Sequence, residues 1–155
     1  ILKILKKLEI QLYFSGKEFD IRNPNYTISL KNFCDENQLN EYVKFLGFID
    51  REDQICLMDN ALGIIQPSLF EGWSTVIEDS KYFNQNIIAS NIEVHKEQLK
   101  QNAFYFDPCD PEDLVKKIIE VKDLGNKKFE FNYNQQIKNC GKEFINIMKN
   151  IKSHR

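Results

Sequence analysis

The sequence of 155 residues lacks the features that define several large classes of protein. Its longest uncharged apolar stretch, residues 61–65, is far too short to cross a bilayer, and lysines interrupt the apolar N-terminal segment. We therefore predict neither a membrane span nor a signal peptide. A net charge of −2 excludes the strongly basic field that draws proteins onto nucleic acid. With 42% hydrophobic and 28% charged residues, the composition is that of an ordinary folded chain.

Patterns typical of redox and zinc sites are absent as well. The four cysteines stand far apart, and no pair of them has CxxC spacing. This predicts free thiols, buried or half-buried, in a reducing cytoplasm. The sequence holds two histidines, His95 and His154, which leaves almost no support for a histidine-based metal site.

Short apolar runs alternate with longer amphipathic ones along the whole chain. The pattern predicts strands over residues 10–15, 42–46, 62–66, 86–90 and 103–106. It predicts helices over residues 1–8, 26–36, 51–60, 75–83, 94–100, 111–121 and 134–152. This alternation indicates an α/β fold, a parallel sheet with helices on both faces, in a single domain over residues 1–155. The two most apolar runs, 62–66 and 86–90, fit central strands, and ligands of such sheets bind beyond the carboxyl ends of the strands.

One segment, residues 67–79, runs from the end of an apolar strand into a helix. Gly72 allows the backbone to approach a ligand closely. Ser74 is a candidate N-cap, and the first N–H groups of the helix that begins at Thr75 can bind an anion such as phosphate. Glu71 and Asp79 place one carboxylate on each side of that anion site, and carboxylates accept strong hydrogen bonds from sugar hydroxyls.

The residues alone also permit a purely structural interpretation. The same segment fits a capped helix with a solvated Glu71 and a core Trp73. His95 and Glu97 fall at a strand end beside the predicted cleft, but a helix-start histidine with an exposed glutamate is the favoured interpretation. Four further aromatic residues are expected in the core: Tyr82, Phe83, Tyr105 and Phe106.

Several segments resemble one family in order and spacing. Pro67, Ser68, Glu71 and Gly72 match a P-S-x-x-E-G motif, and the eighth position after Glu71 is Asp79, where the family has a second Glu; Glu78 is the reserve candidate. Further similar segments read YVKFLGFIDREDQ, NIIASNIEVHKEQL and AFYFDPCDPEDL. Over residues 10–121 the chain resembles the C-terminal, donor-binding half of a family 4 (group 1) glycosyltransferase with the GT-B fold.

The resemblance implies roles for individual positions. Glu71 takes the catalytic position that contacts hydroxyls of the donor sugar, and Asp79 takes the position that holds the ribose hydroxyls of the nucleotide. The remaining donor and nucleotide contacts that it implies are Gly16, Lys17, Gly47, Phe48, Ile49, Ser68, Gly72, Trp73, Ser74 and Thr75. The family usually retains the anomeric configuration without an obligatory metal, so no cofactor is expected and the nucleotide sugar is a substrate.

The same resemblance implies that parts of the family domain lie outside this sequence. In the family a strand precedes the first helix, and its loop supplies basic residues for the donor diphosphate. The acceptor, a glycan or a lipid-linked sugar, is bound by an N-terminal half. We therefore expect an N-terminally truncated Rossmann-like domain that lacks its first strand and is inactive alone. Strands 10–15 and 62–66 would flank the lost strand, and we predict either that they pair directly with each other or that the isolated chain has poor stability in solution.

The sequence thus predicts the donor-binding portion of a retaining, hexosyl- or mannosyltransferase-like enzyme in the cytoplasm, serving bacterial surface polysaccharide synthesis. Two alternatives stay open: a non-catalytic α/β protein-interaction module and a GT-B sugar-nucleotide epimerase. The last eighteen residues carry five basic side chains and one acidic one, which fits either a solvated helix or peripheral contact with the inner membrane face.

Overall fold

The computed structural model describes residues 2–125 and 127–153, with strands and helices alternating along the chain. The helices are α1 (Leu2–Leu8), α2 (Tyr26–Glu36), α3 (Arg51–Asn60), α4 (Thr75–Tyr82), α5 (Glu93–Leu99), α6 (Pro111–Leu124) and α7 (Tyr133–Ser153). The strands are β1 (Leu12–Ser15), β2 (Val43–Gly47), β3 (Ile64–Gln66), β4 (Ile87–Ser90) and β5 (Phe104–Phe106). The predicted element order is confirmed, while Ile1 and His154 lie outside the described residues.

Side-chain caps determine where several of these helices begin. Oδ1 of Asp50 accepts a hydrogen bond from the Asp53 N–H at 2.9 Å, and Asp110 accepts one from the Glu112 N–H at 2.9 Å. The Ser74 hydroxyl accepts from the Ile77 N–H at 3.3 Å, so the predicted N-cap of α4 is confirmed. Each of these bonds satisfies a backbone donor that the helix itself leaves without a partner.

All strand pairs are parallel, and they form two sheets among the described residues. One sheet contains β1 and β2, and the other has the order β3-β4-β5. Parallel strands flanked by helices confirm the predicted Rossmann-like α/β fold. The predicted direct pairing of strands 10–15 and 62–66 is wrong, because β1 and β3 belong to different sheets. The expectation of a central strand at 62–66 is also corrected, since β3 lies at an edge of the described sheet.

Apolar side chains pack on both faces of the three-stranded sheet. Ile87 and Ala89 of β4 lie in one cluster with Ile77, Leu99 and Phe131. Alternate side chains of a strand point to opposite faces. Accordingly Ile88 lies in a second cluster, whose other buried members are Phe106, Leu114, Ile118 and Val121.

The other sheet has a separate cluster, formed by Leu5, Cys34, Leu39 and Val43. Ile10 packs against this cluster and also against the second cluster of the three-stranded sheet, so it joins the two parts of the fold.

Several side chains expected inside lie at the surface. Tyr82 is 64% exposed and Trp73 is 54% exposed, so neither is a core residue. Of the four free cysteines only Cys34 is buried; the other three are exposed, which corrects the expectation of buried or half-buried thiols.

The last helix, α7, also carries exposed apolar side chains. Those more than half exposed are Ile137, Phe144, Ile145, Ile147 and Ile151. None of the helices in the described part of the chain combines the length and the apolar composition needed to cross a bilayer.

Candidate functional site

The carboxyl ends of β1 and β2 lie side by side. The Gly16 N–H donates to the carbonyl oxygen of Gly47 at 2.8 Å. Gly47 has φ of +64° and Gly16 has φ of +125°, conformations that a side chain would strain. Lys17 is exposed, as is Phe48, which has 81% of its surface exposed, so the predicted nucleotide contacts here face solvent. Beyond them, Ile49 is half-buried.

A second group of predicted residues lies where β3 ends. Gln66, the last residue of β3, donates its Nε2–H to both carboxylate oxygens of Glu71, at 3.2 Å to Oε1 and 3.0 Å to Oε2. The same amide nitrogen lies 3.2 Å from the Ser68 hydroxyl. Glu71 is therefore anchored to the strand that precedes it, and 23% of its side chain remains exposed to solvent.

Glu71 also contacts a buried residue that follows the next strand. Nε2 of His95 lies 2.9 Å from Oε2 of Glu71, and the His95 side chain is completely buried. Nδ1 of His95 lies 2.9 Å from the carbonyl oxygen of Ser90, the last residue of β4. The Ser90 hydroxyl in turn donates to the carbonyl oxygen of Ser68 at 2.5 Å. The carboxyl ends of β3 and β4 are thus joined through Glu71, His95 and Ser90.

The surroundings of Glu71 shift its pKa. Burial raises the pKa, but hydrogen bonds from His95 and Gln66 oppose this, with smaller contributions from Ser74 and Ser68, and the net result is a lowered pKa. Hydrogen bonds donated to a carboxylate favour its charged form. Glu71 is consequently a negatively charged hydrogen-bond acceptor. Hydrogen-bond donors hold its carboxylate, which stays partly exposed to solvent.

At the start of α4, the backbone of Ser74 already forms hydrogen bonds with a side chain of α5. Ser74 is completely buried, and its N–H donates to Oε1 of Gln98 at 3.1 Å while its carbonyl accepts from Nε2 of Gln98 at 3.0 Å. The Ser74 N–H is therefore not available to an anion. The N–H groups of Thr75 and Val76 donate no hydrogen bond within residues 2–125 and 127–153, so an anion can still approach α4 there. The neighbouring Gly72 has open space on its Cβ side.

The two acidic candidates on α4 have different partners. Asp79 forms an ion pair with Arg51, the first residue of α3, at 2.7 Å. Glu78 accepts from Nε2 of Gln98 at 3.0 Å and pairs with the buried Lys81 at 3.0 Å. Glu78 thus belongs to the packing between α4 and α5, whereas Asp79 faces α3, the helix after β2.

The structure brings together some of the predicted residues and leaves others apart. Glu71, Ser68 and Ser74 form one group, and the ion pair of Arg51 with Asp79 connects α4 to the region after β2. Among the described residues, no hydrogen bond or ion pair joins Gly16 or Lys17 to Glu71. In the same part of the chain no three His, Cys, Asp or Glu side chains lie close enough together to hold a metal ion.

The structure adds two residues of α5 to this site. The sequence favours a helix-start role for His95, and it does not single out Gln98. Both are buried and both bond to the segment that carries Glu71, whereas Glu97 between them is exposed, as expected. The three-residue spacing of His95 and Gln98, which places them on one face of a helix, is the pattern that could have identified them.

Comparisons with known proteins agree on one family. The family model described as glycosyl transferases group 1 matches residues 1–139. The O-antigen chain mannosyltransferase RfbU of Salmonella typhimurium is 26% identical over 108 residues, which are 70% of this chain and 31% of that protein.

Solved structures resemble this chain in fold. A glycosyltransferase from Rickettsia africae superposes with a TM-score of 0.73 at 24% identity. The superposition covers 96% of this chain and 44% of the Rickettsia chain. HepE from Anabaena, solved in complex with UDP, superposes with a TM-score of 0.64 at 19% identity. This superposition covers 92% of this chain and 44% of the HepE chain. At these identities the likeness concerns the fold alone. The chain spans about a third of the curated relative and less than half of either structure.

Proposed function

Because this chain belongs to the group 1 glycosyl transferase family, we propose that it is the donor-binding part of a retaining glycosyltransferase. The donor is a nucleotide sugar, and the acceptor is a glycan or a lipid-linked sugar bound by another part of the enzyme. The observation that carries the proposal is the Glu71 carboxylate, held by Gln66 and His95 at the carboxyl ends of β3 and β4. Ligands of parallel α/β folds bind at this edge.

The proposed roles follow the chemistry of each group. Glu71 accepts hydrogen bonds from hydroxyls of the donor sugar. The N–H groups at the start of α4, from Thr75 onward, face the diphosphate, whose negative charge suits a helix N-terminus. Asp79 accepts from the ribose hydroxyls, and a carboxylate has about four acceptor positions, so its ion pair with Arg51 leaves room for them. The backbone around Gly16 and Gly47 lies beside the nucleotide base.

The wider setting is proposed from the relatives. RfbU is an O-antigen chain mannosyltransferase, which supports a hexosyl or mannosyl transfer in the synthesis of a bacterial surface polysaccharide. Such an enzyme works in the cytoplasm, where nucleotide sugars are made, and it can touch the inner membrane face through the basic C-terminal segment. No cofactor is assigned, and no obligatory metal is expected. Because the chain spans about a third of that relative, we expect the 155 residues alone to be inactive.

The test uses the full-length protein with UDP-glucose and GDP-mannose as donors. Glu71→Ala should reduce sugar transfer strongly and leave the affinity for UDP or GDP nearly unchanged, because a sugar contact is lost. Asp79→Ala should weaken nucleotide affinity instead. Glu97→Ala is the matched control, since Glu97 is exposed on α5 and should change neither quantity.

Calorimetry for nucleotide affinity and product analysis for transfer separate the outcomes. Equal losses of nucleotide affinity in the Glu71 and Asp79 variants would contradict the division of roles. Conversion of the nucleotide sugar without transfer would indicate an epimerase. Binding of neither nucleotide nor nucleotide sugar would favour a protein-interaction module, for which the exposed apolar side chains of α7 offer a surface.

A further inference from the structure

The hydrogen bonds of His95 require a proton on each ring nitrogen. Nδ1 lies 2.9 Å from the Ser90 carbonyl oxygen, which can only accept, so Nδ1 carries a hydrogen. The Ser90 hydroxyl, 3.1 Å from Nδ1, uses its own hydrogen to donate to Ser68, so it too accepts. With Nδ1 protonated, a neutral imidazole would present a lone pair at Nε2. Nε2 lies 2.9 Å from a carboxylate oxygen of Glu71, a distance that requires a proton between the two atoms.

The donors around Glu71 place that proton on the histidine. Both carboxylate oxygens already accept from the Gln66 amide, and these donors favour a charged carboxylate over a protonated one. Glu71 is the charged side chain that faces the ring. Glu78 and Lys81 on α4 pair with each other, and the Tyr105 hydroxyl of β5 donates to the backbone carbonyls of His95 and Lys100 rather than to the ring.

We propose that His95 is a positioning residue for the transfer reaction: as an imidazolium anchored on Ser90, it donates Nε2–H to Oε2 of Glu71 and fixes the direction of that carboxylate. This deepens the proposed function and rests on it, because Glu71 is the group that binds the donor sugar there. His95 and Gln66 both donate to Oε2, at 2.9 Å and 3.0 Å, whereas the Gln66 contact to Oε1 is longer, at 3.2 Å, and His95 does not reach that oxygen. Oε1 therefore keeps the acceptor positions to which a sugar hydroxyl can donate.

The protonation state can be measured without any substrate. The chain has two histidines, so ¹⁵N NMR of the imidazole nitrogens gives a simple spectrum, and His154→Gln assigns it. At neutral pH both nitrogens of His95 should show the shifts of protonated imidazole nitrogens, and in Glu71→Gln Nε2 should lose its proton. An unprotonated Nε2 in the native chain, or an imidazolium that persists in Glu71→Gln, would overturn the assignment.

The positioning role is tested in the full-length enzyme with His95→Leu and His95→Gln. Losing a hydrogen bond to a charged group corresponds to a fall of about tenfold to hundredfold, which we expect in kcat/KM for His95→Leu. The affinity for UDP or GDP should stay unchanged. His95→Gln restores a neutral N–H donor and should recover part of the rate.

Parallel losses of nucleotide affinity and transfer in His95→Leu, with no rescue by His95→Gln, would show a merely structural role. Failure of the native enzyme to transfer any sugar would instead refute the proposed function, and the NMR result would still decide whether His95 and Glu71 form the charged pair.

Discussion

Gln98 is the side chain whose removal we expect to destabilise the site region most clearly. Its amide joins three groups: it accepts from the Ser74 N–H, donates to the Ser74 carbonyl and donates to Glu78. Because Ser74 is completely buried, water cannot replace the two bonds to its backbone in the folded chain. Gln98→Ala should therefore weaken both the N-terminus of α4 and its packing against α5.

The magnitude follows from the groups that lose their partners. A buried N–H without an acceptor costs about 1–3 kcal/mol, which applies to Ser74. Its carbonyl retains a bond from the Glu78 N–H at 3.3 Å, so it adds little. Removing the one buried methylene beyond Cβ, Cγ, adds about 0.8 kcal/mol. The sum is a loss of about 3 kcal/mol in the free energy of unfolding, a large fraction of the ~5–15 kcal/mol typical of a domain.

Urea denaturation followed by circular dichroism measures this loss. With a slope of about 2 kcal/mol per molar urea, the midpoint should fall by about 1.5 M. Gln101→Ala, a change of the same type at an exposed position two residues beyond α5, should shift the free energy by less than about 0.5 kcal/mol. A Gln98→Ala midpoint no lower than that of Gln101→Ala would refute the reasoning.

Two further predictions concern stability. A Cβ at Gly63 would lie 3.1 Å from the Asn86 carbonyl oxygen and 3.2 Å from Cγ1 of Val121, so Gly63→Ala should cost about 1–3 kcal/mol and lower Tm in calorimetry; Gly141→Ala, on the exposed face of α7, should not lower it. The lowered pKa of Glu71 contributes stability that is present above its ordinary value of 4.5 and is lost as pH falls through the lower folded-state value. Urea midpoints measured down to about pH 3 should therefore fall less steeply with pH for Glu71→Gln than for the native chain. An identical fall in the two proteins at low pH would contradict this.

The order and approximate bounds of the helices and strands were determined by the sequence itself. Hydrophobic periodicity and caps act over a few residues, so the Ser74 cap and the proline at the start of α6 mark helix starts wherever the chain folds. The alternation of elements was likewise enough to predict the parallel α/β fold. The family was predicted by resemblance, from the motif around Glu71 together with three further segments in matching order and spacing.

Strand pairing and the partners of Glu71 were decided only by the tertiary structure. β3 pairs with β4 rather than with β1. Both candidate partner strands contain apolar residues, and no local feature of the sequence distinguishes the two pairings. Glu71 and His95 stand 24 positions apart, and their contact depends on how the loop after β3 lies over the end of β4. Tyr82 points to solvent despite its aromatic ring, because the rotation of α4 turns Ile77 into the core instead. Contacts of this kind depend on how whole elements pack, which the local pattern of residues does not specify.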